Sequence, residues 1–180
     1  MALGVAVVGL GGISRGHISA WKKVRGVELR AVCDILPDRA AAAGAEHDVP
    51  WFTEVDPLLQ QSDVHIVDLC LPPAAHAPVA MKALEAGRHV LVEKPIALTL
   101  EDAAAMRQAA ARAGVQLGVI SQLRFSSHVQ QLAAWLKEGR LGRPLAAHVE
   151  LKGYLPSDFY QANAKSYLSD PVASGGGMLM

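Results

Sequence analysis

A glycine-rich turn joins the first apolar segment of the chain to the first amphipathic one. The apolar segment, Val5–Val8, holds only small and β-branched residues, which is typical of a strand buried on both faces. Residues 9–14 follow with the pattern Gly-x-Gly-x-x-Ser, and apolar residues then recur at helical spacing from Ile13 to Val24. A strand that passes through such a turn into a helix favours anion binding at the helix N-terminus, typically of a dinucleotide pyrophosphate.

Each position of this turn has a physical requirement. Gly9 permits the tight turn, and Gly11 lets the backbone approach the pyrophosphate. Gly12 and Ile13 continue the turn into the helix, where free N–H groups and the positive end of the helix dipole meet the charge. The last position normally holds Gly or Ala for close packing of helix on strand. Ser14 departs from that pattern by only a hydroxyl group.

An acidic residue stands at the distance that a dinucleotide site requires. Asp34 lies twenty residues beyond Ser14, directly after a second predicted strand at 27–33. Its carboxylate would accept hydrogen bonds from the adenosine ribose and repel a 2′-phosphate, which favours NAD over NADP unless Arg39 neutralises the phosphate. Two alternatives stay open, namely a plain glycine-rich turn and an Asp34 that only caps the turn after its strand.

Strand-like and helix-like segments alternate up to Ile120. This alternation predicts an α/β fold, a doubly wound parallel sheet of Rossmann type with right-handed crossovers. Thr99 and Asp102 resemble a capping box at the start of the last helix. The predicted strands are 5–8, 27–33, 50–52, 64–71, 89–92 and 115–120, and the predicted helices are 13–24, 37–47, 56–61, 74–86 and 100–113.

The rhythm changes after Ile120, which places a domain boundary near Ser121. Residues 1–120 are interpreted as the dinucleotide-binding domain, and 121–180 as the beginning of an α/β substrate domain built on an open antiparallel sheet. The pattern predicts a helix at 126–138, a half-exposed strand at 144–154 and irregular structure at 156–177. The strand is expected to lack sheet partners within the chain, and therefore to be disordered or paired with another chain.

Composition restricts the partners of the chain. Its 17 basic and 17 acidic residues balance, so no global field recruits nucleic acid or an anionic membrane, and a small molecule is the expected partner. The apolar fraction of 51% favours a face covered either by an oligomer partner or by sequence outside this chain. Cys33 and Cys70 are expected to be free thiols in a reducing cytoplasm. The seven histidines form no HxxxH or CxxC pair, so no metal site is predicted.

A lysine follows the fifth predicted strand in the triplet Glu93-Lys94-Pro95. Ligands of open α/β sheets bind outside the carboxyl ends of the strands, so Lys94 is expected to face the cofactor crevice. The Lys94–Pro95 bond is a candidate cis peptide, because X–Pro bonds adopt cis at little cost. The alternative is that Lys94 is an ordinary solvated loop charge.

These motifs together resemble one family, that of glucose–fructose oxidoreductase, inositol dehydrogenase and MocA. The resemblance runs in collinear order over essentially the whole chain, and the stretch Ala86-Gly87-x-His89-Val90-x-x-Glu93-Lys94-Pro95 is its most specific part. It is carried by residues 9–14, Asp34, 71–76, 86–95, 122–125 and 175–177.

The resemblance implies an NAD(P)-dependent enzyme that oxidises or reduces a carbinol carbon of a sugar, cyclitol or nucleotide-sugar. Lys94 would contact the reacting hydroxyl as the catalytic residue. The resemblance places at the cofactor Leu71, Pro72, His76, Glu93, Lys94 and Gln122, and at the substrate Lys94, Arg124 and Tyr154. Phe159-Tyr160-Gln161 and the glycine-rich ending resemble members that act on nucleotide-linked amino sugars.

The family's catalytic histidine follows the segment that corresponds to Gly175-Gly176-Gly177. That histidine is therefore expected beyond Met180, so that this chain alone would bind dinucleotide and turn over sugar poorly. Two alternatives to an enzyme remain at this point. One is a non-catalytic NAD-binding regulator on the same fold, and the other is a fragment that binds cofactor without turnover.

Overall fold

The first 120 residues build a six-stranded parallel sheet with helices on both faces. The computed structural model describes residues 2–150, 152–154, 158 and 170–174. The strand order is β3-β2-β1-β4-β5-β6, and every neighbouring pair is parallel. This is the doubly wound Rossmann order, and the predicted fold class is confirmed. The order reverses between β1 and β4, which is where such sheets open a ligand crevice.

The elements of this unit follow one another as strand, helix and strand throughout. Its strands are β1 Leu3–Val8, β2 Val27–Cys33, β3 Trp51–Phe52, β4 Ile66–Leu69, β5 His89–Val92 and β6 Leu117–Val119. Its helices are α1 Ser14–Trp21, α2 Pro37–His47, α3 Val55–Leu59, α4 Pro73–Glu85 and α5 Leu100–Ala113.

The core lies on both faces of the sheet, because side chains alternate along a buried strand. Ala6 and Val8 of β1 point to the face covered by α3, α4 and α5, where Leu58, Leu84 and Met106 pack on them. The intervening Val7 points to the other face, against Ile18 of α1. The unbroken apolar run at 5–8 is thus explained by burial from both sides.

Helix ends follow the signals in the sequence. The Thr99 hydroxyl oxygen accepts a hydrogen bond from the Asp102 backbone N–H at 3.0 Å, so the predicted cap of α5 is confirmed. Gly114 ends the same helix with a φ of 67°, a conformation that glycine adopts without strain. Most sequence-based bounds agree with the structure to within two residues, although α1 ends at Trp21 rather than at Val24.

Contacts within the chain define two compact units, Met1–Ile120 with Asp170–Met180, and Ser121–Ser169. The second unit contains a 3₁₀ turn at Gln122–Phe125 and helix α6 at Ser127–Lys137, whose cap is the Ser126 hydroxyl. A short helix α7, Pro171–Ser174, lies where the sequence predicted irregular structure. The interpretation of residues 121–180 as the beginning of a substrate domain stays a prediction.

The segment predicted as a strand at 144–154 has no strand partner among the residues that the structure describes, as expected. Residues 144–150 and 152–154 form no strand, and their side chains are exposed. Alternation of apolar and polar residues creates a strand only where another strand accepts its backbone hydrogen bonds. Across the described ranges, no helix is both long enough and apolar enough to cross a membrane.

Candidate functional site

The glycine-rich turn begins at a backbone position that no other residue fits. The Gly9 N–H donates to the Cys33 carbonyl at 2.8 Å, and its φ is 89°. A Cβ atom at Gly9 would lie 2.5 Å from the Cys70 carbonyl oxygen. The ends of β2 and β4 therefore enclose this residue on both sides, and only glycine lets the chain turn between them.

The rest of the turn leaves a cradle of free backbone donors at the N-terminus of α1. Within the described part of the chain, the N–H groups of Gly11, Gly12 and Ile13 have no acceptor, and Cβ atoms at Gly11 or Gly12 would meet nothing within 4 Å. The Ser14 hydroxyl is buried and donates to the Gly11 carbonyl at 2.7 Å, so the departure from Gly or Ala is accommodated. Open space, free donors and the helix dipole together fit a pyrophosphate.

Asp34 holds the turn from the next strand. Its carboxylate is only 7% exposed, and it accepts the Leu10 N–H at 2.7 Å and the Leu36 N–H at 2.9 Å. The contact with Leu36 shows that Asp34 does cap the turn after its strand, which was one of the two alternatives. The contact with Leu10 connects Asp34 to the glycine-rich turn. Each carboxylate oxygen has a further lone pair, so both contacts are compatible with a ribose diol. Arg39 is exposed in the first turn of α2.

The Glu93-Lys94-Pro95 turn lies at the same edge of the sheet. The Glu93 N–H continues the ladder by donating to the Leu69 carbonyl at 3.1 Å. The Glu93 carboxylate is 7% exposed and accepts the Lys94 backbone N–H at 3.0 Å. Lys94 is exposed, and its ammonium group makes no ion pair with another described residue. The Lys94–Pro95 bond is cis, as predicted.

His76 joins the two loops that border this edge. Its ring nitrogens contact the Leu71 carbonyl at 2.8 Å and the Pro95 carbonyl at 2.7 Å. The side chain is 0% exposed, so in this structure it connects the two loops from beneath the crevice and presents no surface to a ligand. Leu71 and Pro72 are half-buried in the loop after β4, at the carboxyl edge of the sheet.

His17 of α1, which belongs to no motif in the sequence, lies between two carboxylates. His17 Nδ1 is 2.9 Å from Asp68 Oδ2, and His17 Nε2 is 3.1 Å from Glu93 Oε1. Trp21 of α1 donates its indole N–H to Asp68 Oδ2 at 2.6 Å. The missed signal was Asp68 itself, since a carboxylate within an apolar buried strand requires partners.

The surroundings of His17 favour its charged form. An ionised carboxylate only accepts hydrogen bonds. His17 can therefore donate to both carboxylates only when both ring nitrogens carry a proton, that is, in the imidazolium form. The hydrogen bond to Asp68 is the main cause that raises the pKa of His17 above its ordinary value of 6.5, and Glu93 adds to it while burial opposes it. The His17 ring thus connects two carboxylates beneath the crevice.

One group of potential metal ligands occurs among the described residues. Atoms of His17, Asp68 and Cys70 lie within 4.8 Å of one another. Both ring nitrogens of His17 already contact carboxylates, at 2.9 Å and 3.1 Å, so a metal would have to displace one of these contacts. Burial raises the pKa of the Cys70 thiol and raises that of Cys33 to about 11, which disfavours the thiolate form of both free thiols. His17 and Asp68 belong instead to a hydrogen-bond network with Glu93 and Trp21.

Three of the predicted contacts belong to the second unit. Gln122 and Arg124 are exposed in the 3₁₀ turn, and Tyr154 is exposed in the segment without regular structure. The structure brings together in the first unit the glycine-rich turn, Asp34, Glu93 and Lys94. The roles of Gln122, Arg124 and Tyr154 at cofactor and substrate stay predictions.

Comparison with known proteins agrees with this geometry. Residues 3–121 match the family described as "Oxidoreductase family, NAD-binding Rossmann fold". The chain is 32% identical to D-apiose dehydrogenase of Paraburkholderia graminis over 82% of this chain and 40% of that protein. It is 32% identical to 1,5-anhydro-D-fructose reductase of Ensifer adhaerens over 97% of this chain and 51% of that protein.

A solved structure resembles the chain in both sequence and fold. It is the WlbA dehydrogenase from Bordetella pertussis in complex with NADH and UDP-GlcNAcA, with a TM-score of 0.85 and 32% identity. The match covers 90% of this chain and 50% of that one. The chain thus spans about half the length of the relatives that it matches.

Proposed function

Because the chain belongs to the oxidoreductase family with an NAD-binding Rossmann fold, we propose that it serves hydride transfer between NAD(P) and a carbinol carbon of a sugar-type substrate. The observation that carries the proposal is the position of Lys94. It is an exposed lysine on a turn anchored by Glu93, at the sheet edge that also carries the glycine-rich turn.

The residues of the first unit divide the work between binding and proton transfer. The free N–H groups of Gly11, Gly12 and Ile13 hold the pyrophosphate, and Asp34 accepts the ribose hydroxyls. The bound nicotinamide supplies the hydride chemistry. Lys94 exchanges a proton with the substrate hydroxyl oxygen. An ordinary solvated lysine in a loop away from the cofactor site would have no such role.

The cofactor preference follows from the Asp34 carboxylate. Its low exposure makes a nearby phosphate charge more costly than it would be in bulk water, so NAD is preferred to NADP. Arg39 would weaken this preference if it paired with the phosphate. The substrate is a sugar, cyclitol or nucleotide-sugar, and the complex of WlbA with UDP-GlcNAcA supports the last of these.

The remaining organisation is also part of the proposal. Residues 121–180 contribute to a substrate domain, with Gln122 near the nicotinamide and Arg124 and Tyr154 toward the sugar. A homo-oligomer is supported by exposed apolar residues on α6, among them Val129, Leu132 and Leu136. A cytoplasmic location is supported by the two free thiols, which a reducing compartment preserves.

The experiment is a cofactor titration followed by a turnover assay on a panel of sugars, cyclitols and nucleotide-sugars. The proposal predicts NAD binding by this chain and substrate-dependent NADH formation, poor in this chain alone, that Lys94→Met lowers by about 10²–10⁴-fold. NAD binding without turnover on any substrate would favour a cofactor-binding regulator or a cofactor-binding fragment. Absence of NAD binding would contradict the proposal.

A further inference from the structure

His17 lies where three elements of the crevice meet. It projects from α1, its Nδ1 reaches Asp68 of β4, and its Nε2 reaches Glu93 in the turn after β5. The two contacts span 51 and 76 residues of sequence. A single side chain therefore connects the helix of the glycine-rich turn to the turn that carries Lys94.

The contacts continue in one direction as far as the Lys94 backbone. Glu93 Oε1 accepts from His17, and Glu93 Oε2 accepts the Lys94 N–H at 3.0 Å. With a side chain about nine-tenths buried, Glu93 has little solvent to replace a lost partner. If His17 no longer donates to Glu93, the Glu93 carboxylate is held less firmly. Its hydrogen bond with the Lys94 backbone N–H is then weakened.

We propose that His17 is a positioning residue, which holds the Glu93 carboxylate and through it the peptide N–H of Lys94. The inference rests on the proposed function where it concerns turnover, since Lys94 is there the proton-transferring group. The groups that face His17 are Asp68, Glu93 and the Cys70 thiol, and the Trp21 indole donates to the same Asp68 carboxylate. Two of them are carboxylates, so the clamp needs a donor on each ring nitrogen.

The opposing interpretation is that His17 only satisfies Asp68, which is 0% exposed and would otherwise be a buried uncompensated charge. Two substitutions separate these roles. The amide nitrogen of Gln takes the place of Nε2 and keeps the donor toward Glu93, whereas that of Asn takes the place of Nδ1 and keeps the donor toward Asp68. Positioning predicts that His17→Gln preserves the Lys94 turn better than His17→Asn, and a role confined to Asp68 predicts the reverse.

The first measurement is the backbone amide of Lys94 by ¹H–¹⁵N NMR with hydrogen exchange. We expect a shift and about tenfold faster exchange in His17→Asn, and a nearly wild-type signal in His17→Gln. His89→Gln is the matched control, because His89 begins the strand that Glu93 follows and its Nδ1 accepts the Gln116 N–H at 3.0 Å. The reverse order of the two variants, or a Lys94 amide that neither variant changes, would overturn the proposal.

A second measurement needs only the wild-type chain, so it does not depend on whether a variant folds. The Lys94 amide shift and the His17 ring signals are followed together against pH. A common midpoint supports the clamp, and a Lys94 amide indifferent to the titration of His17 overturns it. In turnover, His17→Asn should lower kcat by about 10²-fold with little change in the KM for NAD, since misplacement of a reacting group has costs of that order.

Failure of the proposed function gives a different result. A wild-type chain that neither binds NAD nor forms NADH would contradict that function, while both NMR comparisons would still decide whether His17 holds the Lys94 turn.

Discussion

Replacement of Asp34 tests the preference for NAD over NADP, because it removes the carboxylate charge that would repel the 2′-phosphate. Asp34→Asn keeps the shape of the side chain and removes the charge from a carboxylate that is 7% exposed. Two unit charges about 4 Å apart repel by about 4 kcal/mol at an effective dielectric of 20. Since about 1.4 kcal/mol is a tenfold change in affinity, loss of this charge should raise the ratio of NADP to NAD affinity by up to about a thousandfold.

The same substitution also lowers the free energy of unfolding. The Asp34 carboxylate accepts two backbone N–H groups, those of Leu10 and Leu36. An amide is uncharged and offers a single acceptor oxygen, so Asp34→Asn keeps one neutral bond in place of two charge-assisted bonds, and Asp34→Ala keeps neither. The Ala variant should therefore lose more free energy of unfolding than the Asn variant, by about the 0.5–1.5 kcal/mol of one neutral hydrogen bond.

The assay is isothermal titration of NAD and NADP into the wild type, Asp34→Asn and Asp38→Asn. Asp38 is an exposed acid in the first turn of α2, so its substitution changes net charge equally without touching the crevice. The control should leave the ratio of affinities unchanged to within about twofold, as expected for a screened surface charge. Equal affinities of the wild type for both cofactors, or no gain for NADP in Asp34→Asn, would refute the reasoning.

Three further predictions concern Lys94, Gly9 and His17. Lys94→Met should lower kcat by about 10²–10⁴-fold while NAD affinity in calorimetry stays nearly unchanged, and wild-type turnover would return Lys94 to the status of a loop charge. Gly9→Ala should lower the free energy of unfolding by more than about 1–2 kcal/mol in urea titrations, because a φ of 89° is strained for alanine and its Cβ would lie 2.5 Å from the Cys70 carbonyl oxygen. Gly16→Ala, in open space on α1, is its control and should be neutral or stabilising, so similar losses in both would argue against the steric cause. The folded-state pKa of His17 is raised, so its contribution to stability is complete below the unfolded value of 6.5 and is lost as pH rises through the folded value. Urea titrations across this window should show that loss in the wild type and not in His17→Asn, and equal slopes in the two proteins would contradict a clamped imidazolium.

The sequence predicts most of the fold because its signals are local. The apolar run at 5–8, the cap at Thr99 and the glycine at 114 each act within a few residues, and the structure confirms the elements that they delimit. The segment predicted as a strand at 144–154 pairs with no strand among the described residues. Its pattern specifies one face of a strand and says nothing about a partner strand.

The sequence also predicts only part of the candidate site. Gly9, Asp34 and Lys94 were found because each follows a strand, and the carboxyl ends of parallel strands share one edge. The clamp of His17 between Asp68 and Glu93 was missed, since it joins residues 51 and 76 positions apart and no spacing rule connects them. A carboxylate in the middle of β4 indicates that a partner exists, but only the folded sheet identifies it.

The central claim is that the cradle at the N-terminus of α1 binds the pyrophosphate of NAD, and Gly11→Val tests it most directly. A Cβ atom at Gly11 meets no protein atom within 4 Å, so the variant should fold with nearly unchanged stability. Its side chain would occupy the space that the pyrophosphate needs for its approach to the free N–H groups. Calorimetric titration of NAD into both proteins should show binding to the wild type and a loss of more than about tenfold in the variant, which corresponds to about 1.4 kcal/mol. Equal NAD affinity of a folded Gly11→Val and the wild type would contradict the account.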